Sequence, residues 1–248
     1  MFDDITKLWT IGPPGWKVRK TDYHIHSRYS DGKDSLAACV EEASRKGLDA
    51  IAFTDHIWRT SEWVDSYVQE CEQLRQLHPE LDIRIGAEAK AINLKGDIDI
   101  SPESAAKLDF VVGSVHRRLP EEPDNAFTDL RSLSPEAAAE AETEVIRGMV
   151  KNSCVNVIGH PMRLYYKFYF EPGKTDKPFP ASLLKEILSA VAHSGKFTEL
   201  NVKVPDLEAV VGQYRKEEVF FLLGSDAHDA GSIGNIPYEV ITRQCHRV

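Results

Sequence analysis

Side chains able to hold metal ions recur along this chain at intervals that only folding could bring together. The first group is Asp22-Tyr23-His24-Ile25-His26, followed at once by Asp31. Alternate residues of a strand share a face, so His24 and His26 point one way and Ile25 the other. Further along come His56, Glu88, His116, His160, Asp226 and His228. Imidazole and carboxylate together suit zinc, iron and manganese. An isolated H-x-H pair reads equally well as two polar groups at a strand end, but so long a series of donors does not.

The elements that must position these donors follow from the apolar pattern. Strands are expected at 21–25, 50–53, 82–87, 110–115, 155–158, 196–200 and 219–223. Ala50-Ile51-Ala52-Phe53 is apolar throughout, as a strand covered on both faces should be. Helices are expected at 35–46, 61–77, 102–108, 134–152, 181–194 and 206–215, with a last one starting near Pro237. Ser134 followed by Pro135 is a helix-start signal, and Gly47 is a stop. This alternation calls for a parallel sheet with right-handed crossovers, an α/β barrel of about seven strands, with an open doubly wound sheet as the alternative. Residues 21–248 show no dividing linker and read as one domain. Residues 1–20, broken by Gly12-Pro13-Pro14-Gly15, read as an arm packed down by Trp9 and Trp16.

On that fold every donor falls at the C-terminal end of a strand, the face of a parallel barrel where active sites form. Asn201 alone breaks the series and sits at the mouth, placed to position substrate or a ligand. His78, His193 and His246 fall in helices or near the terminus, and His78 and His193 read as structural or surface residues. Burying so many ionisable groups without a metal would be costly. The set exceeds the needs of one ion and suggests two or three, sharing ligands. Clustered ions of this kind generate hydroxide at neutral pH and clamp a phosphoryl group, so phosphoester hydrolysis is the natural reaction and amide hydrolysis the runner-up.

Composition narrows the partners. The net charge of −9 argues against a general affinity for long nucleic acid, although bound divalent ions can reverse the sign locally and admit an anionic substrate. No apolar run approaches membrane-spanning length, and Met1-Phe2-Asp3-Asp4 lacks a signal-peptide pattern. Cys39, Cys71, Cys154 and Cys245 form no C-x-x-C pair and suit reduced thiols in the cytoplasm. The stretch Arg163-Leu164-Tyr165-Tyr166-Lys167-Phe168-Tyr169-Phe170, within an insertion at 163–179, could be a lid, a leaving-group pocket, packing beneath the rim or a subunit contact. Its mixed aromatic and basic character also suits stacking on nucleobases.

Six segments together resemble the polymerase and histidinol phosphatase (PHP) family. They are His24-Ile25-His26 with Ser30-Asp31-Gly32, Phe53-Thr54-Asp55-His56, Gly86-Ala87-Glu88, Gly113-Ser114-Val115-His116, Gly159-His160-Pro161 and Gly224-Ser225-Asp226-Ala227-His228. The resemblance implies a distorted (β/α)7 barrel and a phosphoesterase carrying two or three zinc, manganese or iron ions. It implies one ion on His24, His26, Glu88 and Asp226, a second on Glu88, His116 and His160, and a third on Asp31, His56 and His228. A metal-bridging hydroxide would be the nucleophile. Glu88, Asp226 and His228 would carry the catalytic roles, with Asp226 or a metal-bound water handling the leaving-group proton. Asp31 stands where some members have histidine. The substrate expected is a small phosphorylated metabolite, histidinol phosphate first. Arg117 and Arg163 are expected to bind its phosphate, with Arg28, Arg118 and Lys203 as lesser alternatives. A phosphodiesterase or exonuclease acting on nucleotides or short oligonucleotides, and a metal-binding module without turnover, are the rival readings.

Overall fold

Every residue of the first strand, β1 (Thr21–Ile25), is buried, which is what a strand covered on both faces by helices and barrel interior requires. The computed structural model describes residues 19–122, 129–170 and 175–246. The expected arm at 1–20 therefore lies almost wholly outside the described residues. After β1 come β2 (Ala50–Phe53), β3 (His56–Ile57), β4 (Asp82–Lys90), β5 (Phe110–Ser114), β6 (Val157–Ile158), β7 (Phe197–Asn201) and β8 (Phe221–Gly224). All pairings between them are parallel, in the order β1-β2-β4-β5-β6-β7-β8.

The short β3 resumes the second strand after a break at Thr54-Asp55 and pairs His56 with Glu88 on β4. The sheet then nearly closes. The His26 N–H donates to the Ala227 carbonyl at 2.8 Å, and the Ala227 N–H donates to the His24 carbonyl at 3.2 Å. The result is a nearly closed barrel of seven parallel strands, with the interrupted second strand counted once. It is the barrel rather than the open sheet.

The helices are α1 (Leu36–Arg45), α2 (Val64–Leu77), α3 (Pro102–Ala105), α4 (Pro135–Met149), α5 (Arg163–Phe168), α6 (Ala181–Ser194), α7 (Leu207–Lys216) and α8 (Tyr238–His246). On α1, buried Leu36, Cys39, Val40 and Ala43 recur at helical spacing, and the Ser35 hydroxyl accepts from the Ala38 N–H. Ser134 caps α4 in the same way. The expected 61–77 helix begins only at Val64, because the preceding turn is tied by the Trp58 N–H donating to Ser61 Oγ. Residues 163–168, read as insertion, are helical. No helix among the described residues is long and apolar enough to cross a membrane.

Alternate strand residues divide into two sets. Ile83, Ile85, Val111 and Leu223 face the helices, whereas Ala50, Ala52, Phe110, Val112, Val157, Phe197 and Leu222 form an inner apolar layer. A register shift in β1 between Asp22 and Ile25 lets Tyr23 join that inner layer while Ile25 packs outward. Above the inner layer the barrel turns polar. Glycines make the room: a Cβ on Gly224 would lie 2.4 Å from Glu199 Oε1 and 2.5 Å from His24 Cβ, and one on Gly159 would lie 2.1 Å from Ser114 Oγ.

Candidate metal centre

The polar end of the barrel gathers all nine expected donors. Glu88 stands at the middle, buried, on the same face of β4 as Gly86. Its Oε1 lies 3.1 Å from His116 Nε2 and 2.8 Å from His160 Nε2. Its Oε2 lies 2.9 Å from His56 Nδ1, 3.5 Å from His24 Nε2 and 3.6 Å from His26 Nε2. Asp226 Oδ1 approaches His24, His26 and His228 at 3.8, 3.4 and 3.6 Å. Asp31, half exposed at the rim, faces His26 Nδ1, His56 Nε2 and His228 Nε2 at 3.7, 3.6 and 3.3 Å.

Three constellations result in which the donor atoms lie within 4.8 Å of one another: His24, His26 and Asp226; Glu88, His116 and His160; and His26, Asp31, His56 and His228. The arrangement fits divalent ions on its own chemistry. His24 Nε2 and His26 Nε2 face each other at 3.0 Å, and His26 Nδ1 is buried without a hydrogen-bond partner among the described residues. A buried ring nitrogen with no partner is costly unless something electrophilic is shared with its neighbours.

Proton affinities inside the cluster are set by charge as much as by burial. Burial lowers that of His24, but the carboxylates of Glu199 and Glu88 outweigh it and hold its pKa well above the usual imidazole range. Two residues on, burial prevails, and with His24 and His56 crowding it His26 is pushed down to about 4. Burial raises Glu88 and Asp226, yet the imidazoles around each carry both well below the ordinary carboxylate range.

Three carboxylates to which the sequence reading gave no role hold this cluster in place. Glu199 on β7 accepts from His24 Nδ1–H at 2.9 Å and from the His160 N–H at 3.0 Å. It also forms a possible fourth donor group with His24 and His160. Asp55 accepts from the Ser27 N–H, Ser27 Oγ–H and Ser30 Oγ–H at 2.8, 2.8 and 2.6 Å, fixing the loop that carries Asp31. Asp22 accepts from the Ser225 N–H, Ser225 Oγ–H and Gly234 N–H at 2.9, 2.6 and 2.7 Å, fixing the turn that carries Asp226 and His228. Two donors sit on strained backbone: Asp226 has φ 53° and His160 φ 24°, which cost of order 1–3 kcal/mol each. Each of the three is a carboxylate inside an apolar strand or at its end, and Glu199 shares the face of Asn201 two residues later.

The PHP domain profile matches residues 22–203, the greater part of the chain. The chain belongs to the PHP family. Over 224 residues it is 27% identical to a protein of Vibrio parahaemolyticus named probable phosphatase, spanning 88% of this chain and 80% of that one. It is 26% identical over 226 residues to a probable phosphatase of Caldicellulosiruptor bescii, spanning 87% and 82%. Its fold is similar to that of histidinol phosphate phosphatase from Lactococcus lactis, solved with zinc, L-histidinol and phosphate. The TM-score is 0.70 at 23% identity, covering 92% of this chain and 95% of that one.

The cleft above this PHP centre has a volume of about 380 Å³. Arg117 and Arg163 both line it, as does Lys167 of the same aromatic and basic stretch. Arg163 Nη2 donates to Asp226 Oδ2 at 2.6 Å, and Lys203 Nζ reaches the same oxygen at 3.5 Å. Arg28 and Arg118 are engaged elsewhere. Arg28 Nε donates to the Lys33 carbonyl at 2.7 Å, and Arg118 Nε lies 3.6 Å from Asp129. Asn201 is used up locally, donating to the Pro161 carbonyl at 3.3 Å and accepting from the Lys203 N–H at 3.0 Å. The 163–170 stretch is divided in its duty: Tyr165 and Tyr169 are buried in the core, while Arg163, Leu164, Lys167 and Phe168 line the cleft.

Proposed function

We propose that this chain is a metal-dependent phosphomonoesterase of the histidinol-phosphatase kind, acting on a small phosphorylated metabolite. The observation that carries the reading is the coincidence, in one cleft, of three donor constellations meeting around Glu88 with two arginines at their edge. His24, His26, Glu88 and Asp226 would hold one ion, Glu88, His116 and His160 a second, and Asp31, His56 and His228 a third, with zinc, manganese or iron as the metal. When bound, such ions supply a nucleophile from water at neutral pH and neutralise charge on a phosphoryl group.

The chain's own residues do the rest. Glu88 sets the spacing of the constellations by presenting one oxygen to each side. Asp226 stays ionised, so it acts as ligand and as anchor for Arg163 and has no proton to give the leaving group. Arg163 and Arg117 bind and orient the phosphoryl oxygens through planar, paired N–H donors. Protonation of the leaving alkoxide falls to water in the open cleft. His228, facing both Asp31 and Asp226, orders that end of the site.

The test is elemental analysis of natively purified protein, with the same sample assayed on p-nitrophenyl phosphate, histidinol phosphate and bis-p-nitrophenyl phosphate. Two or three bound ions with turnover of the monoesters are expected. Preference for the diester would make the chain a phosphodiesterase. Inert protein after reloading with zinc, manganese and iron would leave a metal-binding module and sink the enzymatic reading. His24→Ala and Glu88→Ala are each expected to lose metal together with roughly three orders of magnitude or more of activity, with the circular dichroism spectrum unchanged. Full activity in either variant would refute the site.

A further inference from the structure

The walls of the cleft carry information about the part of the substrate that is not phosphate. Every carboxylate lining it, Asp31, Glu88 and Asp226, belongs to a donor constellation. The described lining that remains is Val115, Arg117, Arg163, Leu164, Lys167 and Phe168: three cations, three apolar side chains and no acid. Arg163 is tied to Asp226. The side chains of Arg117 and Lys167 have no carboxylate partner among the described residues. Lys167 Nζ lies 5.6 Å from the centre of the Phe168 ring. The cations also feel one another. Arg163 first, then burial, with Lys203 and Arg117 adding to it, makes Lys167 easier to deprotonate than an ordinary lysine, and the nearness of Asp226 does not offset them. In a chain of net charge −9, an uncompensated basic wall is a local construction, not a reflection of composition.

A leaving group bearing an ammonium would enter this cleft beside like charges and find, among the described residues, no acid outside the donor constellations to receive it. A leaving group bearing an anion would find Lys167 without a carboxylate partner among the described residues, with Phe168, Leu164 and Val115 against its carbon skeleton. We propose that the preferred substrate is a phosphomonoester whose leaving group carries an anionic group of its own, a carboxylate or a second phosphate, and that Lys167 reads it. This rests on the phosphomonoesterase reading and narrows it, placing histidinol phosphate, whose leaving group is cationic, among the poorer esters.

The experiment uses metal-loaded, full-length protein and esters matched in size. 3-Phosphoglycerate, glycerol 3-phosphate and O-phosphoethanolamine present an anionic, a neutral and a cationic leaving group, and 1,3-propanediol bisphosphate presents a second phosphate. For the better of the two anionic esters, kcat/KM should exceed that for the neutral one by roughly 10-fold and that for the cationic one by roughly 100-fold, and whether 3-phosphoglycerate or the bisphosphate leads tells carboxylate from phosphate. In Lys167→Glu the anionic-to-cationic ratio should fall at least roughly 10-fold. The ratio is taken within each preparation, so a general loss of activity does not imitate the effect. Monoester turnover with anionic and cationic esters equal within about threefold, or with a ratio unmoved in Lys167→Glu, would overturn this inference and leave the phosphatase reading standing. No turnover of any monoester, p-nitrophenyl phosphate included, would overturn both.

Discussion

Two histidines separated by one residue end with opposite proton affinities, and the difference lies in what each ring's second nitrogen meets. His24 Nδ1 meets the buried carboxylate of Glu199, whereas His26 Nδ1 meets no hydrogen-bond partner among the described residues. A carboxylate behind an imidazole fixes its tautomer and raises its basicity as a ligand. Because Glu199 also accepts from the His160 N–H, one side chain orients donors of two constellations. Glu199→Gln keeps the shape and one acceptor but removes the charge. Zinc affinity, read by competition with a chromogenic chelator, should fall about 10- to 100-fold while the fold persists; unchanged affinity would reduce Glu199 to a packing residue. The His and Asp donors were legible in the sequence because they punctuate the ends of apolar runs. Glu199 was not, because it lies two residues before the end of β7, and the polar residue that ends the apolar run is Asn201. The parity of residues 199 and 201 on one strand face was the signal available.

At the scale of elements, the long capped helices were readable and the short pieces were not. The 181–194 helix matches α6 residue for residue, since its apolar spacing and Gly195 define both ends. The two-residue β3 escaped because its pairing depends on β4, and α5 escaped because its aromatic run resembles a loop in composition, although Leu164 and Phe168, and Tyr165 and Tyr169, stand four apart as on a helix. What holds α5 is Glu142 on α4. Its Oε1 accepts from the Met162 N–H at 2.8 Å, and its buried Oε2 has no hydrogen-bond partner among the described residues. Burial raises its pKa to about 8, only partly countered by that N–H. The folded chain therefore keeps a proton that the unfolded chain releases near pH 4.5, and stability must fall as pH rises from about 4.5 to about 8, by roughly 3–5 kcal/mol. Glu142→Gln removes that slope. In urea denaturation of chelator-treated protein, its advantage over the natural chain should be small at pH 5 and grow to a few kcal/mol by pH 8.5. An advantage that does not change with pH would show that Glu142 titrates normally.

Over the whole molecule, the centre and the barrel depend on each other. The donors come from the ends or end loops of β1, β3, β4, β5, β6 and β8, so ions held among them would join nearly every strand and brace the β1–β8 seam, where few backbone hydrogen bonds close the sheet. The seven-strand count was legible because helix and strand alternate regularly; that the inner layer changes from apolar to polar halfway up was not, since it depends on which residues share a level. An ion that binds only the folded chain stabilises it by about 2.7 kcal/mol when present at 100 times its dissociation constant. For a chain of this size that corresponds to roughly 5–10 °C in melting temperature per ion. Treatment with a strong chelator at constant pH should therefore lower the melting temperature by at least that much, and zinc or manganese should restore it. In Glu88→Ala, which takes a ligand from both sides of the centre, the response of the melting temperature to either should shrink to what the Asp31, His56 and His228 group alone can give. A chelator-independent melt in the natural chain that still hydrolyses phosphoesters would mean that the barrel stands without its ions, and that the buried imidazoles and carboxylates are held together by their own hydrogen bonds and ion pairs.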